Sequence, residues 1–124
     1  LLEEMKVLFG ENAPDKLFFQ HFQNLYDKWL PVVTKETTVD EKTAKLVALR
    51  NKEGCFGRSS DGVEHGTCFE EFHNPLQRIF EVYPRAAAME QRMIEQLLGI
   101  RLNRSEIAGG RTGQPRVVFE MVGA

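Results

Sequence analysis

Residues 54–73 read GCFGRSSDGVEHGTCFEEFH, and whether this stretch is a connection or a folded element decides the fold class. It holds four glycines and no sustained apolar stripe at helical spacing. It therefore reads as a long connection, of the kind that is functional, locally structured or mobile. Helices are expected on both sides of it. Downstream, Asn74-Pro75 restarts a helix, with asparagine as cap and proline in the first turn. Leu76, Ile79, Phe80, Tyr83, Ala87, Met89, Met93, Ile94 and Leu97 then follow helical spacing up to Gly99. Pro84 lacks a backbone donor and crowds the preceding turn, so a kink or brief break is expected there.

Upstream, Thr38-Val39-Asp40-Glu41 matches a capping box, with a hydroxyl at the cap and a carboxylate three residues on. The helix it opens should run to about Lys52, with Val39, Thr43, Leu46, Val47 and Arg50 along one side and Gly54 as its stop. Before it, Leu17, Phe18, His21, Phe22, Leu25, Tyr26, Trp29 and Leu30 share one helical face. That predicts a helix over 16–30, capped by Asp15 and ended by Pro31. Residues 1–10 (LLEEMKVLFG) read as a short helix ending at Gly10.

At the far end, GGRTGQP (109–115) reads as a flexible linker, and Arg116 to Val122 has the β-branched and aromatic content of a strand. A lone strand leaves its ladder groups unpaired and needs a partner. The expected fold is therefore mainly α. A helical domain over 1–108 contains a long kinked helix hairpin, and 109–124 supplies a linker and one C-terminal strand that pairs between subunits. Phe80, Tyr83, Met89, Met93 and Leu97 on the long helix, with Val117 and Phe119 on the strand, are the expected oligomer interface.

A chain of 124 residues, 42% hydrophobic and 27% charged, is expected to be one soluble folded domain rather than a disordered segment. Its longest apolar runs are only a few residues, too short to span a bilayer. No basic-then-apolar leader opens the sequence, so a cytoplasmic protein is expected. The chain begins at Leu1 rather than Met, which leaves room for an upstream segment.

The net charge of −2 hides a division. Residues 1–75 hold nine Lys/Arg against thirteen Asp/Glu, whereas residues 76–124 hold seven against five, and all seven are arginine. Arginine suits bidentate phosphate or carboxylate pairing. A wholly basic groove of the autonomous, tight DNA-binding kind is not indicated.

Cys55, His65, Cys68 and His73 are four zinc-ligand types within nineteen residues, spaced C-x9-H-x2-C-x4-H. Only His65 and Cys68 are tightly paired, so these are weak metal candidates, and two ordinary thiols with solvated or capping histidines are favoured. No phosphate-loop pattern surrounds GGRTG, and no family-type sequence surrounds either cysteine. Adjacent carboxylates at Asp40-Glu41 and Glu70-Glu71 read as solvated turns or caps. No catalytic apparatus and no cofactor are expected.

His73-Asn74-Pro75-Leu76 opens a helix that passes Met89-Glu90 and ends at Leu97-Leu98-Gly99-Ile100, with Arg104 a few residues on. Together with Lys52-Glu53-Gly54 before the turn-rich Asp61-Gly62 segment, this resembles the P27-type family of phage terminase small subunits over about residues 25–107. The chain departs from that family at Arg101-Leu102-Asn103, where Thr-Pro is common. The resemblance implies a non-enzymatic component of viral DNA packaging: a homo-oligomeric ring that binds duplex viral DNA and regulates the large terminase subunit, in the host bacterial cytoplasm. The cations expected to meet DNA are Lys42, Lys45, Arg50 and Lys52 on the helix before the loop, then Arg104, Arg111 and Arg116. Many copies would multiply weak phosphate contacts. The alternatives are a helical protein-interaction or regulatory domain, zinc-stabilised or not, with no nucleic-acid role, and, third, a metal-dependent nuclease.

Overall fold

The computed structural model describes residues 3, 4, 6, 12–59, 67–111 and 113–122. The short helix expected over 1–10 lies for the most part outside them. The elements in chain order are α1 (Ala13–Val33), α2 (Val39–Lys52), β1 (Phe56–Ser59), β2 (Thr67–His73), α3 (Gln77–Val82), α4 (Pro84–Leu98), β3 (Leu102–Ile107) and β4 (Arg116–Met121). The fold is α+β: among the described residues 56% are helical and 21% strand, with one four-stranded antiparallel sheet. This corrects the mainly α expectation. The 54–73 segment supplies two strands, and a third, β3, follows α4 directly.

The expected pairing of the C-terminal strand between subunits is corrected with it. The sheet order is β1-β2-β4-β3, so β4 is an interior strand with neighbours of its own chain on both edges. Its six residues pair in full with β3, from Leu102↔Met121 to Ile107↔Arg116. The GGRTGQP linker is the connection of that hairpin. Gly110 is obligatory in it, because a Cβ there would stand 2.4 Å from the Gln114 and Pro115 carbonyl oxygens.

The helices form where their local signals say, with shifted ends. α1 starts at Ala13, with Pro14 in its first turn, and Asp15 pairs with Arg85 at 2.8 Å instead of capping. Pro31 does not end α1, which continues to Val33. The donor that proline lacks falls in the last turn, where only the carbonyl of exposed Asp27 gives up a partner to solvent. The capping box of α2 forms: Thr38 Oγ1 accepts from Glu41 N–H and Glu41 Oε1 accepts from Thr38 N–H, both at 3.1 Å. The break at Pro84 is complete, with Tyr83 in a non-helical conformation between α3 and α4. Gly99 ends α4 in the left-handed region, which glycine adopts without strain.

The helices cover one face of the sheet. Phe69, Val117, Phe119 and Leu102 point into that interface and join Trp29, Phe22, Leu46, Ile94 and Leu97 in a single core. Phe69 and Phe119, paired across β2 and β4, stack with centroids 4.5 Å apart. The opposite face of the sheet carries no helix among the described residues.

Candidate nucleic-acid interface

Strand alternation sorts β2 into two chemistries. Glu71 points inward, where the Arg50 guanidinium of α2 grips it in a two-point contact and also lies 3.2 Å from Glu90 of α4. Asn74 Nδ2 donates to the same Glu90 carboxylate at 3.2 Å. All four side chains are buried. Burial alone opposes the charge of Arg50, but Glu71 and Glu90 outweigh it and hold the guanidinium firmly protonated. Gly57 sits opposite Glu71 across the β1–β2 ladder, where a Cβ would meet the Glu70 carbonyl oxygen at 2.9 Å and the Glu71 side chain at 3.0 Å.

Glu70 points the other way, to the outer face, and has two arginines. Arg58 Nε of β1 donates to its Oε1 at 2.6 Å, and Arg116 Nη1 of β4 donates to its Oε2 at 3.1 Å. The Arg58 guanidinium also lies over the Phe72 ring, 5.6 Å from its centroid. Phe72 meets Phe56 edge to face at 6.0 Å, and Arg111, in the β3–β4 connection, stacks over Phe56 at 4.3 Å. These contacts chain together without a gap. The outer face thus carries three arginines, two phenylalanines and one carboxylate that is almost wholly covered, its side chain 3% exposed. Glu120 is also on this side, exposed, at the far end of β4.

The cations expected from sequence do not gather in one place. Arg111 and Arg116 come together on the outer face. Lys42, Lys45 and Lys52 lie along α2, on the helical side, with Lys45 and Lys52 exposed and Lys42 half-buried. Arg104 faces inward, donating to Glu106 at 2.7 Å with its guanidinium 5.8 Å from the Phe80 ring centroid. Arg50, 2% exposed and committed to two carboxylates, is closed to a phosphate. Sequence reasoning does not single out Arg58, Phe56 and Phe72, because the glycines around them read as a connection. The residues expected to join subunits are the chain's own core: Phe80, Met93, Leu97, Val117 and Phe119 are buried, and Tyr83 and Met89 pack against them half-buried. An apolar stripe at helical spacing looks the same whether it meets its own chain or another.

The four zinc-ligand types do not converge among the described residues. Cys55 and His73 line the same shallow cleft with Asn51, Phe56 and Arg111, whereas Cys68 is buried beside Thr43 at 3.4 Å, and His65 lies outside the described residues. Within the described residues no group of three metal-ligating side chains forms. Burial pushes the Cys55 thiol up to about 12, with Arg50 pulling it down and Glu71 and Glu90 adding to the rise. A thiol that stays protonated is a poor nucleophile. Burial raises Cys68 in the same direction.

No helix among the described residues is long and apolar enough to cross a membrane. Comparison with protein-family models, curated proteins and solved structures finds no match for the chain.

Proposed function

We propose that the chain is a non-catalytic, nucleic-acid-binding adaptor of the small terminase kind, working in many copies beside a large packaging subunit in the host bacterial cytoplasm. The observation that carries the nucleic-acid part is the outer sheet face, where Arg58, Arg111 and Arg116 surround two phenylalanines and a single covered carboxylate. Guanidinium groups pair with phosphate oxygens, and a chain of net charge −2 needs such a local concentration to bind a polyanion at all. The packaging part rests on the resemblance over His73–Leu76 and Leu97–Ile100.

Fluorescence anisotropy with labelled DNA across a salt series tests it. Affinity should fall as salt rises. Removing one phosphate-pairing guanidinium, by Arg58→Ala or Arg111→Ala, should reduce the logarithmic salt slope by about 0.7–0.9. Either variant leaves Glu70 paired with Arg116, so the fold is spared a buried unpaired charge. Absence of binding to any DNA at about 50 mM salt, the low end at which phosphate contacts are strongest, would sink the proposal.

A protein-interaction domain is the second reading, favoured by one observation. Phe19, 61% exposed, borders a groove between α1 and α4 together with Tyr26, Met89 and Arg92. It would be preferred if Phe19→Ser improved solubility while Arg58→Ala and Arg111→Ala changed nothing in the salt series.

A further inference from the structure

We infer that the outer sheet face takes an unpaired strand of nucleic acid, with bases stacked on Phe56 and Phe72 and phosphates on the flanking arginines. This rests on the nucleic-acid reading above and narrows it to a substrate class. In a duplex the base faces are hidden and only base edges reach the grooves, which admit a helix or a two-stranded ribbon. A four-stranded sheet presenting ring faces fits neither groove. An unpaired strand offers what this surface can receive, flat π-faces and a run of negative charge.

Three features argue for that occupant. Phe56 is 47% exposed and meets Phe72 through an edge-to-face contact, so the pair does not consume both ring faces. The Arg111 guanidinium, over Phe56, extends the platform, since bases stack on guanidinium planes as well as on rings. Arg58 and Arg116 are held by the two oxygens of one buried carboxylate. Glu70 therefore fixes two cations on adjacent sides of β2 in advance, so little side-chain entropy is left to lose on binding. With three arginines against the shielded Glu70, and exposed Glu120 at the far end of β4, the patch keeps a net positive charge complementary to phosphate.

The test compares a labelled single-stranded DNA 20-mer, its duplex, and the same sequence as single-stranded RNA at one salt concentration. The expected result is at least about tenfold tighter binding of a single strand than of the duplex, and the tighter of the two single strands identifies the polymer. Phe56→Leu, which keeps an apolar side chain but removes the ring, should weaken single-strand binding about tenfold, and Phe56→Tyr should retain it. Because Phe56 is half-exposed, both variants should keep the circular dichroism spectrum of the parent. Duplex bound as tightly as single strand, with Phe56→Leu neutral, overturns the inference and leaves the nucleic-acid reading standing. No binding to any of the three removes both.

Discussion

Taking away the Arg50 guanidinium would leave Glu71 and Glu90 buried without their shared cation. Such a loss of one partner costs about 3–5 kcal/mol, far more than an exposed pair contributes. Arg50→Met should lower the unfolding free energy by about that amount in urea titrations, and a change below about 1 kcal/mol would show that the cluster does not hold the helices to the sheet. Lys45→Met, at an exposed site on the same helix, should be nearly neutral. The contrast explains why these residues are opaque in the sequence. Arg50 and Lys45 both read as cations on a helix, and what separates them is Glu71, twenty-one positions on, which itself reads as a solvated carboxylate next to Glu70.

Among the elements, those governed by neighbouring residues are legible and those governed by distant ones are not. The capping box of α2, the break at Pro84 and the Gly99 stop are decided within four residues, and they form as expected. β2 is illegible because its central residues, Phe69-Glu70-Glu71-Phe72, break apolar alternation, and the arginines that justify each carboxylate come from α2, β1 and β4. β3 offers only Leu102 and Ile107 as apolar positions, and its register comes wholly from β4. The legible elements also carry a pH prediction. The Thr38 backbone N–H, then the Thr38 and Thr37 hydroxyls, hold the Glu41 carboxyl below its ordinary 4.5. A carboxyl lowered on folding adds stability above its unfolded value and loses it as pH falls through the folded one. Glu41→Ala should therefore lower Tm at pH 7, and its gap from the parent should close below about pH 4.5. A gap that stays constant into acid would mean that the ionised carboxylate is not what caps α2.

For the molecule as a whole, the position of β4 matters most. Val117 and Phe119 are core residues, and both edges of the strand are taken by its own chain. Ending the chain after Pro115 should abolish the cooperative thermal transition, because it opens the edges of β2 and β3 and leaves a cavity under Phe69. A shortened chain that still melts cooperatively would contradict the interior placement. The strand itself is readable from Arg116 to Val122, but its partners are not, so on sequence alone another subunit has to supply them. The same placement sets an order of events during synthesis. β2 leaves the ribosome some fifty residues before β4, and until residue 121 emerges the helices have only half a floor beneath them. Native packing is thus deferred to the end of translation of this stretch, and a nascent chain stalled before Arg116 holds Arg58 of β1 and the Arg111 connection without the central strand that joins their two halves of the sheet.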